Sequence, residues 1–256
     1  MSTCVVSAFY RIPSKHSVEK YLEWIVPFFA SCPFPLVLFT EQDLLPIFQQ
    51  VRQKFVNRTI LIGLPMTEWY SLKRYGVQMW VDEKGKDHEA SHSPELYCTW
   101  YEKKEFVKRA IDMRAFDAEY FVWCDAGILR FPNWIPVLQS FPLASQIEKG
   151  KMNFLEVVPF KKEDTWETDF QTENHIGGGI QAADKETWKW WYDEYDRMLK
   201  IFLEQKKFVG KDQNIIASCY LSNPEKFKLV VPPSSMDGFS KWFWMLLWLS
   251  GKSDFP

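Results

Sequence analysis

Between Cys4 and Leu64, short apolar runs alternate with stretches of helical period, which predicts an α/β fold on a mainly parallel sheet flanked by helices. Cys4 to Tyr10 (CVVSAFY) reads as a buried strand, Pro35 to Thr40 (PLVLFT) as a second and Thr59 to Leu64 as a third. Ser17 offers an N-cap to a helix whose Tyr21, Trp24, Ile25, Phe28 and Phe29 form one apolar stripe. A second helix is expected over Glu41 to Phe55, with Leu44, Leu45, Phe48 and Val51 inward. Such a β-α-β-α-β unit winds right-handed and meets ligands at the carboxyl ends of its strands.

Asp82 to His92 (DEKGKDHEASH) lacks periodicity and predicts a mobile surface loop. Ser93 and Pro94 then open a helix through Trp100, Lys103, Phe106, Val107, Ala110 and Ile111, which feeds a strand at Tyr120 to Cys124. Asn153 to Phe160 and Gly178 to Ala183 read as strands, and Asp184 can cap a helix to about Leu203. Asp212 begins another helix, Leu229 to Val231 is a last short strand, and a Trp-rich helix follows. No linker rich in Gly, Ser or Pro divides the 256 residues, so a single domain is expected.

A formal net charge of -2 supplies no global positive field for nucleic acid or an anionic membrane. The cysteines (Cys4, Cys32, Cys98, Cys124, Cys219) are odd in number and form no C-x-x-C pair, which argues against a disulfide framework or zinc site and for a reducing, cytoplasmic compartment. The apolar run from Cys4 begins almost at once, without a basic segment and cleavage site before it, so no secretion signal is expected. Trp242 to Leu249 (WFWMLLWL) is far shorter than the roughly 20 residues a membrane-spanning helix needs. It is expected to be a buried helix, with peripheral membrane contact as the other reading.

Chemistry concentrates in four places. The apolar run Tyr120 to Cys124 ends in Asp125, followed by the small Ala126 and Gly127. A carboxylate there sits where ligands bind open α/β sheets and could hold Mn2+ or Mg2+ together with substrate phosphates, although Asp also caps turns. Lys103 could meet a diphosphate as a point charge, or belong with Lys104, Lys108 and Arg109 to a solvated face. His175-Ile-Gly177-Gly178-Gly179 permits positive φ and close approach of a ligand, without forming a dinucleotide or P-loop fingerprint. Lys211-Asp212-Gln213 starts a helix, where Asp212 serves as N-cap or as a base. His16, His88 and His92 read as surface residues.

In order, W-x-x-K (Trp100, Lys103), F-V-W-C-D-A-G-I-L-R (Phe121 to Arg130), H-I-G-G-G (His175 to Gly179) and K-D-Q (Lys211 to Gln213) resemble the HtrL/YibB family. That family is also called the WlaTC/HtrL glycosyltransferases. The resemblance implies a GT-A-like (Rossmann-like) fold, with 1–130 binding a nucleotide sugar and 131–256 forming an acceptor half. It implies transfer of a sugar from a nucleotide-diphosphate donor, a UDP-sugar first, to a hydroxyl of a glycan or glycoconjugate. On that resemblance Lys103, Asp125, Ala126, Gly127 and Arg130 face the donor, with a divalent cation, Mn2+ or Mg2+, at Asp125. His175, Gly177, Gly178, Gly179 and Gln213 face the substrate, and Asp212, then Asp184, is the candidate base. Two departures stand out: Trp123 occupies the first carboxylate position of an Asp-x-Asp motif, and no His follows His175. A non-catalytic nucleotide- or sugar-binding protein on the same fold is the alternative.

Overall fold

The computed structural model describes residues 2–254. Strands β1 (Thr3–Phe9), β2 (Leu36–Thr40) and β3 (Thr59–Gly63) pair in parallel, and β4 (Tyr120–Cys124) joins β1 on its other side, also parallel. β5 (Met152–Glu156), β6 (Ile176–Asp184) and β7 (Phe227–Val230) complete one seven-stranded sheet of order β3-β2-β1-β4-β6-β5-β7, in which β6 runs antiparallel to β4 and β5.

Helices cover both faces, so the inward residues of each strand divide between two cores. Helices α1 (Val18–Ser31) and α2 (Leu45–Val51) lie with the C-terminal α7 (Trp244–Trp248) on the face carrying Val5, Leu38 and Val122. α3 (Tyr70–Lys84), α4 (Pro94–Asp112), α5 (Lys185–Glu204) and α6 (Asp212–Ser222) lie on the face carrying Val6, Phe39 and Trp123. Ser17, Ser93 and Asp184 cap α1, α4 and α5 by accepting hydrogen bonds from first-turn amides.

Several local expectations change in the folded chain. The helix expected over Glu41 to Phe55 is broken: α2 is flanked by 3-10 turns, Pro46 lies in its first turn, and Phe55 leaves helical geometry at φ -125. Arg52 ties this segment down by donating to the carbonyls of Phe29, Cys32 and Phe34 at 2.8 Å. α3 occupies a stretch with weak periodicity, kinked at Gly76 (φ 72) and burying only Ser71, Trp80 and Glu83. Its first amides, of Tyr70 and Ser71, donate to the buried Glu102 carboxylate of α4 at 2.9 Å.

The Asp82 to His92 segment is not a free loop. α3 runs through its first residues, and the remainder is fastened by Lys84 to the Glu89 and Ala90 carbonyls, by Tyr97 to Asp87 and by Lys211 to Glu89. Contacts to backbone carbonyls and to neighbouring helices hold it in place, although Asp82, His88 and Glu89 remain exposed. The Trp-rich segment is likewise structural: Trp244, Met245, Leu246, Leu247 and Leu249 are buried in the second core, so they present no apolar face to a bilayer. No helix among the described residues is long and apolar enough to cross a membrane.

Candidate active site

β4 is buried along its whole length and delivers Asp125 to a cleft of about 450 Å³ at its carboxyl end. The Asp125 amide donates to the Gly179 carbonyl at 2.8 Å, extending the ladder to β6 by one residue, and the chain then turns with Ile128 N–H to Asp125 O at 3.0 Å. Lys103 of α4, Gly177, Gly178 and Gly179 of β6, and Asp212 and Gln213 of α6 line the same cleft, as do Ala126, Gly127 and Arg130.

Lys103 is the centre of this arrangement. Its Nζ lies 2.9 Å from Asp212 Oδ2, 3.0 Å from the Gly178 carbonyl and 3.3 Å from Asp125 Oδ1. An ammonium has three N–H donors, so these three acceptors use all of them. Its charge suggests a donor-phosphate contact; in the folded chain its donors meet these internal acceptors, and it holds two carboxylates in register. Burial lowers its pKa, but Asp125 and Asp212 outweigh burial and the net shift is upward. Lys104 is buried too, between Glu105, Asp196 and the rings of Tyr101 and Tyr192, so the expected solvated face does not include these two lysines.

Asp125 keeps 40% side-chain exposure through the cleft, whereas that of Asp212 is 4% exposed. The enclosing walls raise the Asp125 carboxyl above its ordinary value, against the pull of Lys103 and of Trp123, whose Nε1 donates to Asp125 Oδ1 at 2.8 Å. Trp123 thus fills the place of a first Asp-x-Asp carboxylate with a hydrogen-bond donor to the second position.

The glycines are there for space. None of the three takes positive φ. A Cβ on Gly178 would lie 2.6 Å from Asp212 Oδ2, and one on Gly179 would lie 3.0 Å from Ile128 Cδ1 and 3.4 Å from Asp125 Oδ2. Successive residues of a strand face opposite ways. The two carboxylates therefore close on β6 from opposite sides.

Two expected residues lie elsewhere. Asp184 pairs in register with Tyr120, at the far end of β4, roughly 16 Å along the strand from Asp125. Its carboxylate is spent on the amides of Gly150, Glu186 and Thr187 and on the Thr187 hydroxyl, which removes it as a base. His175 is buried against Phe160 and Phe170, with Nδ1 3.0 Å from the Val158 carbonyl, and does not line the cleft. Conversely His92 does line it: Nδ1 meets Asp87 at 2.8 Å and the ring stands edge-on to Trp100. Its charged neighbours in the sequence disguise it as a surface residue.

The protein's own side chains offer few ligands for a divalent cation. Asp125 Oδ1 is taken by Trp123 and Lys103, Asp212 Oδ2 by Lys103, and Gly127 offers no side-chain ligand. Among the described residues no group of three His, Cys, Asp or Glu side chains is arranged to hold a metal. An ion at Asp125 would take one free carboxylate oxygen, would draw its other ligands from substrate phosphates and water, and would have the Lys103 ammonium for a neighbour, which disfavours it.

The sheet order, with the antiparallel β6 beside β4 and the cleft at the carboxyl end of β4, is that of a GT-A-type glycosyltransferase fold. Mouse xyloside xylosyltransferase 1 in its apo form has a similar structure, with 12% identity, TM-score 0.53, and coverage of 95% of this chain and 94% of that one. Core-mannan synthase A from Aspergillus fumigatus, in a Mn/GDP form, is similar at 10% identity and TM-score 0.50, covering 90% of this chain and 72% of that one. No curated protein matches the sequence. The model of a family described as bacterial protein of unknown function (HtrL_YibB) matches residues 4–247, and the chain belongs to that family.

Proposed function

We infer that this protein transfers a glycosyl group from a nucleotide-diphosphate sugar to a hydroxyl of a glycan or glycoconjugate. The observation that carries this reading is the convergence of Asp125, Asp212 and the Gly177 to Gly179 strand on one cleft of about 450 Å³. That volume falls within the range of small-molecule sites. Residues 1–130 hold the donor, a UDP-sugar being the first to test, and 131–256 supply the acceptor side. The five cysteines are free and buried, which supports a cytoplasmic location.

In the transfer, the acceptor oxygen bonds to the anomeric carbon while the bond from that carbon to the diphosphate oxygen breaks. The departing electron pair stays on the nucleoside diphosphate, and the acceptor proton passes to Asp212, the cleft carboxylate set against Gly178. Lys103 is a positioning residue, keeping Asp212 and Asp125 in place. Thermal shift with UDP, GDP, CMP and their sugars, on wild type and Asp125→Asn, tests the donor site. A melting point raised by one nucleotide in wild type alone supports it. No response to any of them counts against it, and binding without sugar transfer favours a non-catalytic nucleotide-binding protein.

A further inference from the structure

Arg130 has none of the internal partners that occupy Lys103. It lines the cleft just beyond the Asp125 turn, with its guanidinium carbon 3.3 Å from the centre of the Trp24 ring and 6.0 Å from those of Tyr21 and Phe243. Stacking on an aromatic ring fixes the plane of a guanidinium without consuming its N–H groups. Among the described residues Arg130 forms no ion pair, and its Nε is shielded from solvent with no hydrogen-bond partner. A shielded donor lacking an acceptor is costly, and such a group calls for an acceptor brought from outside.

The charges around it set the kind of acceptor. Asp125 and Asp212 pair with Lys103, while Arg130 and the exposed Lys15 on the same cleft form no ion pair among the described residues. A guanidinium held flat reads phosphate through paired N–H···O contacts. With the Lys103 ammonium against its carboxylate, Asp125 is a poor holder of a divalent ion, and a cationic side chain on the same cleft can supply the counter-charge for a diphosphate instead.

The geometry points to Arg130 as the residue that binds the donor diphosphate and stabilises the charge left on it, a task otherwise given to a divalent cation. This rests on the donor-site reading above and makes donor binding independent of added metal. Arg130 keeps its proton throughout and acts by charge and hydrogen bonding while the electron pair of the breaking bond settles on the diphosphate.

The test is calorimetric titration of inorganic pyrophosphate, then UDP and GDP, into the intact protein in EDTA and again with Mn2+. Binding is expected in EDTA, little altered by Mn2+, and weaker by roughly tenfold to a hundredfold in Arg130→Gln. Arg130→Lys keeps the charge but loses the fork and should fall between the two. Circular dichroism checks that both variants are folded; if Arg130→Gln is not, Arg130→Lys decides, unchanged affinity overturning the assignment. Wild-type binding that appears only with Mn2+ also overturns it and returns the role to a metal at Asp125. If wild type binds no diphosphate in either buffer, the donor-site reading itself has failed.

Discussion

Lys103 and Asp212 stand 109 residues apart in the chain and meet at 2.9 Å, joining α4 to the first turn of α6 beneath the cleft. Both side chains are 4% exposed, and Lys103 is the one cation that contacts Asp212 among the described residues. Removing one partner of a buried pair costs about 3–5 kcal/mol, because the survivor is left uncompensated. Lys103→Met should lower the urea midpoint accordingly. The double variant Lys103→Met/Asp212→Asn should cost less than the sum of the two single changes. Additive losses would show that the pair is not one network.

The same pair predicts the alkaline limb of stability. The folded pKa of Lys103 is raised above 10.5, its two carboxylates outweighing burial. Stabilisation from a raised lysine is complete below the unfolded value and is lost as pH rises through the folded one. Wild type should therefore lose stability above pH 10.5 more steeply than Lys103→Met, as read from denaturant midpoints across that range.

Asp125 should separate function from stability. Its folded pKa is raised by burial, so its charged form is the strained one at neutral pH. Asparagine removes that cost and leaves Lys103 with Asp212. Asp125→Asn is expected to melt at or above the wild-type temperature while sugar transfer falls by about 10²–10³. A collapse in melting temperature would make Asp125 a structural residue.

How much of this was legible follows from what sequence can encode. The continuous apolar run ending at Asp125 is a local pattern, and so are the Ser17, Ser93 and Asp184 caps. Asp184 and Asp212 are locally equivalent, each an Asp before an apolar helix. Strand register alone separates them, by pairing Asp184 with Tyr120. Lys103 and Lys104 look solvated by composition, but α4 packs against the sheet, α3 and α5 at once, so these two are enclosed while Lys108 stays exposed. Contacts such as Lys103 to Asp212 arise only when distant elements are brought together.

Gly178→Ala tests the close approach on β6. The new methyl would lie 2.6 Å from Asp212 Oδ2, so the carboxylate or the strand must shift. Overpacking of this kind costs about 1–3 kcal/mol, and displacement of Asp212 should abolish transfer before it unfolds the protein. Gly238→Ala, where a Cβ meets nothing within 4 Å, is the matched control and should leave activity intact.

Asp184→Ala should do the reverse, reducing stability by about 1–2 kcal/mol through loss of the α5 cap while sparing kcat. Burial works to raise the Asp184 pKa, but the Gly150, Thr187 and Glu186 donors overcome it and hold the value below 3.8. Its stabilisation is therefore present above pH 3.8 and lost as pH falls through the folded value, so the two proteins should converge in acid. A large fall in kcat at full folding would restore Asp184 to the catalytic machinery.

The C-terminal Trp-rich segment offers a final discrimination, between a core element and a membrane anchor. Leu246 and Leu247 are fully buried against the face of the sheet that carries Val122, and Ser250 closes the turn by donating to the Leu246 carbonyl at 2.7 Å. Leu246→Ala should cost about 2–5 kcal/mol, the range for a large-to-small change in a packed core. An interfacial helix would respond differently: the same change would weaken co-sedimentation with anionic vesicles and leave the melting temperature unmoved. Loss of stability with no vesicle binding by either protein fits a segment whose apolar surface is already used to hold the cleft wall, where Trp242, Phe243 and Met245 line the site.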